Sequence, residues 1–131
     1  RRAGLRLLLD THALLWWLLD DAELPGSARR AIEKAEAVYV SSASVWEIAI
    51  KQRLGKLPEL AVSVAEIPEL IVQCRFMPLP ISDRHAAAVA LLPAHHRDPF
   101  DHMLIAQAQA EKLVLVSRDP RLAAYGVKLR W

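Results

Sequence analysis

Two aspartates in this chain stand just after short apolar runs. L-R-L-L-L over residues 5–9 ends at Asp10, and L-V-L-V over 113–116 leads through Ser117 and Arg118 to Asp119. Runs of this length predict strands buried on both faces, so the acids at their ends lie at the carboxyl edge of a parallel sheet. If helical crossovers make the two strands parallel members of one sheet, Asp10 and Asp119 share that edge. Open α/β folds place their chemistry there. Neighbouring carboxylates repel, so either one takes up a proton or a cation sits between them. A set of acids without His or Cys partners favours a hard cation, Mg²⁺ or Mn²⁺, over zinc. A metal held this way activates a bound water and neutralises phosphoryl charge, which makes a phosphate ester the expected substrate.

Glu47, Asp98 and Asp101 are candidates for the rest of the cluster, and each also has a structural explanation. Glu47 fits a capping box with Ser44 (S-x-x-E) and an i,i+4 ion pair with Lys51. Asp98 precedes Pro99, a residue favoured at the first helical position, so Asp98 is the expected N-cap, accepting from the N–H of Phe100 or Asp101. Asp101 falls in the first turn of that helix, where the dipole favours an ionised carboxylate. The other acids lie in polar or terminal contexts and are assigned to solvated surface. The adjacent His95 and His96 do not converge readily on one ion, and no second histidine pair has the spacing of a zinc site. His12 and His102 adjoin the acids but receive no role.

The elements that must position these groups alternate along the chain. Strands are expected over 5–9, 37–40, 77–81, 113–116 and 127–129, and helices over 12–19, 27–36, 44–56, 64–74, 82–92 and 99–112. Pro68 suggests that the fourth helix starts near it, and two prolines in 77–81 confine that strand to a sheet edge. Residues 93–97 form a loop. The fold class is α/β, a mostly parallel sheet flanked by helices, in one domain spanning 1–131.

Composition narrows the functional classes. Hydrophobic residues make up 53% of the 131 residues, yet charges interrupt every run before the roughly 20 residues a membrane span requires. A soluble protein is expected. The formal charge of +2 and a pI near 8.9 are compatible with nucleic acid without announcing it. Cys74 is the single cysteine, which rules out an intramolecular disulfide or a cysteine zinc site and suits a reducing cytoplasm. It is read as a small buried apolar residue. Residues 1–4, R-R-A-G, are too short for a signal peptide and are taken as a trimmed or tagged end.

Four segments together resemble the acidic motifs of PIN-domain ribonucleases of the VapC toxin type: L-L-L-D-T-H-A-L-L-W-W, S-V-W-E-I-A-I-K, R-D-P-F-D-H-M-L-I-A-Q-A and V-S-R-D. They follow one another in the family's order over nearly the whole chain. The resemblance implies a Rossmann-like PIN fold, Mg²⁺- or Mn²⁺-dependent endoribonuclease activity, and neutralisation by a VapB-type antitoxin encoded beside it. By position, Asp10, Glu47, Asp101 and Asp119 match the catalytic and metal-binding acidic quartet, and Ser117 matches the small hydroxyl residue before the last acid. Asp10 and Asp101 would be the principal ligands, with Glu47 and Asp119 completing the site directly or through water and Asp98 and Ser117 supporting it. Cleavage would leave a 3′-hydroxyl and a 5′-phosphate.

Arg53, Lys56, Arg97, Arg118 and Arg121 lie near the motifs and are candidates for phosphate contacts. Adjacent helical positions cannot both face inward, so one of Trp16 and Trp17 is expected at a dimer or antitoxin interface. Self-association, as a homodimer, is expected through apolar helix faces. Two other classes are weighed. A phosphatase-type phosphotransfer domain would want a D-x-D pair after the first strand, which is missing. A catalytically inactive PIN-like binding module, whose acidic pocket accepts a partner's arginine, would not need all four acids.

Overall fold

The computed structural model describes residues 4–95 and 98–131. Its centre is a five-stranded sheet in the order β3-β2-β1-β4-β5, formed by β1 (Arg6–Leu9), β2 (Ala37–Ser41), β3 (Met77–Leu79), β4 (Val114–Val116) and β5 (Leu129–Arg130). Every pairing is parallel. Among the described residues six α-helices connect the strands: α1 (Thr11–Leu18), α2 (Gly26–Lys34), α3 (Ser42–Arg53), α4 (Ile67–Gln73), α5 (Asp83–Ala88) and α6 (Pro99–Glu111).

Side chains alternate across a strand, and β1 shows why L-L-L carries no polar residue. Leu7 and Leu9 enter a core with Leu14 of α1, Ile32 of α2, Ile48 of α3 and Ile67 of α4. Leu8 enters a second core on the opposite face with Leu104 and Ile105 of α6, Leu115 of β4 and Leu122. All three leucines are fully buried. The central strand is therefore clamped between two helical layers, and its last residue, Leu9, pairs with Val116.

The topology sets the functional edge. From β1 the chain moves outward through β2 to β3, then returns across the sheet through α5 and α6 to lay β4 on the other side of β1. The strand order thus reverses between β1 and β4, and a crevice opens at their carboxyl ends. The Asp10 N–H donates to the Val116 carbonyl at 3.0 Å, which locks that edge together.

Several boundaries move from their sequence-based positions. Helix α3 begins at Ser42 with Ser41 as its cap, whose Oγ accepts from the Ala43 N–H at 2.9 Å. Ser44 therefore lies inside the helix, and the Ser44–Glu47 capping box does not form. A 3₁₀ turn at Val64–Glu66 precedes α4, which starts at Ile67, beside Pro68. The proline strand β3 is an edge strand as expected, while β5 starts two residues later than 127. Cys74 caps the end of α4 and is half-buried. Trp16 and Trp17 do not divide into one inward and one outward ring. Both are half-buried against the same core, Trp17 beside Phe76 and Trp16 beside His12 and Trp131. Among the described residues no helix is long and apolar enough to cross a membrane.

Candidate active site

Asp10 begins the site. It is the N-cap of α1, in extended backbone after β1, and its Oδ1 accepts from the Ala13 N–H at 2.8 Å. With 8% of its surface exposed, it resists ionisation. Burial pushes its carboxyl up from an ordinary 3.8 to about 6, and the nearby charge of Asp101 adds to this. Hydrogen bonds from the Ala13 N–H and the Ser117 side chain, together with the neighbouring His12, pull the other way. Desolvation of the charged form outweighs these partners.

Ser117 sits one residue beyond β4 and is 3% exposed. Its oxygen accepts from the Asp119 N–H at 3.2 Å, so one hydroxyl joins the Asp10 carboxylate to the turn carrying Asp119. Asp119 in turn caps a 3₁₀ segment, Pro120–Tyr125, accepting from the Arg121 N–H at 3.0 Å. The Arg121 guanidinium returns to the same carboxylate, Nε to Oδ1 at 3.0 Å and an Nη to Oδ2 at 2.8 Å.

Glu47 reaches the crevice from α3 and is 9% exposed. Its Oε1 accepts from the Thr11 hydroxyl at 2.6 Å, its Oε2 meets Lys51 Nζ at 2.9 Å, and the Thr11 and Ser44 hydroxyls lie 3.1 Å apart. The expected i,i+4 pair is present, and it belongs to the crevice rather than to plain surface. On α6, Asp98 is the N-cap, its Oδ1 accepting from the N–H of Phe100 at 2.8 Å and of Asp101 at 3.3 Å. Asp101 lies in the first turn.

Asp10, Glu47, Asp98, Asp101, Ser117 and Asp119 all line one cavity of about 470 Å³, together with Thr11, His12, Lys51, Arg118 and Arg121. The four segments singled out in the sequence thus converge. Thr11 and Lys51 were not anticipated there; the local signals were Thr11 following Asp10 and Lys51 lying one turn after Glu47. Of the proposed phosphate contacts, Arg118 and Arg121 line this cavity and Lys56 lines an adjoining one. Arg53 lines neither and is exposed at the end of α3. Arg97 and His96 lie outside the described residues. His102 bonds the Tyr125 hydroxyl at 3.2 Å, and the His95 ring packs on Tyr125.

Among the described residues, no three His, Cys, Asp or Glu side chains gather closely enough to hold a metal ion as they stand. Glu47 and Asp119 turn instead toward Lys51 and Arg121. The donor set is nonetheless four carboxylates and a hydroxyl, oxygen throughout, which fits a hard divalent cation. One of its members, Asp10, is buried, so its ionised form lacks solvation that a cation beside it would replace.

The model of the PIN domain matches residues 7–128. Ribonuclease VapC22 of Mycobacterium tuberculosis is 31% identical over 120 residues, covering 91% of each chain. Ribonuclease VapC16 of the same organism is 34% identical over 79 residues, 50% of this chain and 56% of that one. Among solved structures, VapBC2 from Rickettsia felis, bound to a DNA fragment from its promoter, aligns with a TM-score of 0.69 at 15% identity, over 95% of this chain and 97% of that chain. VapC20 of M. tuberculosis, a sarcin-ricin loop cleaving toxin, aligns at 0.63 and 14% identity over 92% and 95%. At these identities the solved structures bear on the fold, whereas the domain match and VapC22 bear on descent. This chain belongs to the PIN-domain family and, within it, to the VapC ribonucleases.

Proposed function

We propose that this protein is a Mg²⁺- or Mn²⁺-dependent endoribonuclease that hydrolyses RNA phosphodiester bonds as the toxin of a type II toxin-antitoxin pair. The observation that carries this reading is the convergence of Asp10, Glu47, Asp101 and Asp119 on one cavity at the point where strand order reverses. Asp10 and Asp101 would hold the metal, with Glu47 and Asp119 completing its surroundings directly or through water. When bound, the ion supplies Lewis acidity and a water of lowered pKa.

The chain's own residues do the rest. Ser117 fixes the Asp10 carboxylate, Thr11 fixes Glu47, and Asp98 fixes the start of α6 and so the position of Asp101. Lys51 and Arg121, paired here with Glu47 and Asp119, would be available to phosphate oxygens once those carboxylates serve the ion, and Arg118 is a third cation on the same wall. Attack of water on phosphorus forms one P–O bond and breaks the bond to the 3′ oxygen, which leaves as a hydroxyl once protonated. The products are a 5′-phosphate and a 3′-hydroxyl. Purified protein incubated with RNA and millimolar Mg²⁺ or Mn²⁺, with a chelated control, is the direct test. No cleavage under any of these metals would end the ribonuclease reading.

A VapB-type antitoxin would silence the site by inserting a basic side chain among the acids, the same role Lys51 and Arg121 fill internally. Coexpression with the adjacent small gene product should give copurification and inhibition, and neither occurring would remove the toxin assignment. Trp46 is 60% and Leu91 86% exposed, and such surface supports a homodimer, which light scattering would distinguish from a monomer. The binding-module alternative predicts RNA binding without cleavage, and a phosphotransfer domain predicts a trapped phosphoryl-aspartate.

A further inference from the structure

A second cavity, of about 360 Å³, opens beside the acidic one and shares His12 and Lys51 with it. Its composition differs. Leu15 and Leu19 provide apolar surface, Trp16 an aromatic one, and Lys56 a cation, with the carboxylates of Asp21 and Glu59 also on its lining. The His12 and Trp16 rings are stacked, with centroids 5.3 Å apart and planes inclined by 24°. The indole is braced further by Trp131 at 5.9 Å and by the Arg118 guanidinium 4.8 Å from its ring. His12 itself is exposed, so the stack ends on an open imidazole at the boundary between the two cavities. This aromatic wall is built by the fold: it joins α1 to residues more than a hundred positions away.

We infer that the second cavity is a nucleobase subsite, in which the base of a nucleotide flanking the scissile phosphate stacks on the His12–Trp16 pair while Lys56 meets a neighbouring phosphate. This rests on the ribonuclease reading of the acidic cavity and deepens it. RNA alternates charged phosphates with flat π-faces, and two adjoining cavities, one built around acids and cations, the other offering an aromatic stack with lysines beside it, match one step of that alternation. Every base has a face that can stack on an aromatic ring, but the bases differ in stacking strength, so such a subsite gives a modest base preference rather than a strict one, and Lys51, at the shared wall, lies between the two binding modes. His12 and Trp16 are then positioning residues that set where the chain is cut.

The test uses full-length protein and a randomised 20-nucleotide RNA library, with cut positions read by sequencing, and a 5′-labelled sample of the library for binding in chelator. Wild type is expected to show a base preference at one position beside the cut, and an abasic residue there should lower kcat/KM by about fivefold or more, the usual worth of one stacked base. His12→Ala and Trp16→Leu should flatten the preference, raise KM more than they lower kcat, and weaken RNA binding in chelator. His12→Phe, which keeps a ring without its nitrogens, should restore all three. Cleavage by wild type without base preference, or with a preference unchanged in a folded His12→Ala protein, overturns the subsite and leaves the ribonuclease reading standing. No cleavage by wild type overturns that reading, and the binding arm then decides: equal RNA affinity in wild type, His12→Ala and His12→Phe overturns the subsite too, whereas loss in His12→Ala with recovery in His12→Phe sustains it.

Discussion

Replacing Asp10 with asparagine in metal-free protein isolates the cost of burying its carboxylate. The group titrates near 3.8 when unperturbed and near 6 in the fold. At about 1.36 kcal/mol for each pH unit between those values, ionised Asp10 costs the native state about 3 kcal/mol at pH 8. Because the folded state holds its proton more tightly, wild-type stability from this group is lowest above pH 6, rises as pH falls through 6, and levels off below about 4, where both states are protonated. Asparagine is about as good an N-cap for α1 and has no charge to desolvate. The variant should therefore exceed wild type by up to about 3 kcal/mol at pH 8, on the order of 10 °C in Tm for a domain of this size, and match it near pH 4. Urea and thermal melts in chelator from pH 4 to 8 measure the gap. Parallel pH profiles, or a variant less stable at pH 8, would refute the reasoning, since either means that Asp10 is not carrying a desolvated charge. Cleavage by the same variant should be lost, as a ligand charge is removed while the shape is kept.

Millimolar Mg²⁺ or Mn²⁺ should raise the melting temperature of wild type, by about 2.7 kcal/mol of added stability at a hundredfold excess over Kd; an unchanged Tm would count against metal binding, and Asp10→Asn should lose the response. Asp98→Asn should keep most activity and stability because asparagine caps α6 about equally well, whereas Asp101→Asn should fold normally but lose cleavage and metal stabilisation; if the outcomes are reversed, Asp98 is the ligand. Ser117→Ala removes the hydroxyl shared by Asp10 and the Asp119 N–H and should cost about 1 to 3 kcal/mol, since it leaves buried polar groups short of partners, with the Asp10 carboxyl moving further up; chemical denaturation at pH 8 checks it. Leu8→Ala should cost about 2 to 5 kcal/mol by opening a cavity in the second core, with no effect on metal response in the fraction that remains folded.

Local interactions made part of this protein legible in its sequence. The unbroken leucines before Asp10 announce a strand covered on both faces, because no position could tolerate water. Asp98-Pro99 marks a helix start, because a capping carboxylate and a residue without an N–H satisfy the same few backbone groups. Pro78 and Pro80 mark an edge strand, because neither can donate to a ladder. With the family motifs, these features indicated the α/β class, the order of elements and the acids at the strand ends. The Glu47–Lys51 pair was legible too, as an i,i+4 spacing, and Asp119 and Arg121 are only two residues apart. What the sequence did not determine is the Thr11 hydroxyl crossing from α1 to Glu47 on α3, or the gathering of both ion pairs in one cavity, which needs β4 laid beside β1. The sequence misplaces the start of α3: S-x-x-E points to Ser44, whereas the helix begins at Ser42, directly after β2, and Ser41 caps it. The His12–Trp16 stack is an i,i+4 pair of α1, but the contacts of Trp16 with Trp131 and Arg118 join the two ends of the chain. No helical or strand period spans that distance, and only the packed sheet brings such side chains within contact, so the bracing of the aromatic wall was decided by tertiary structure.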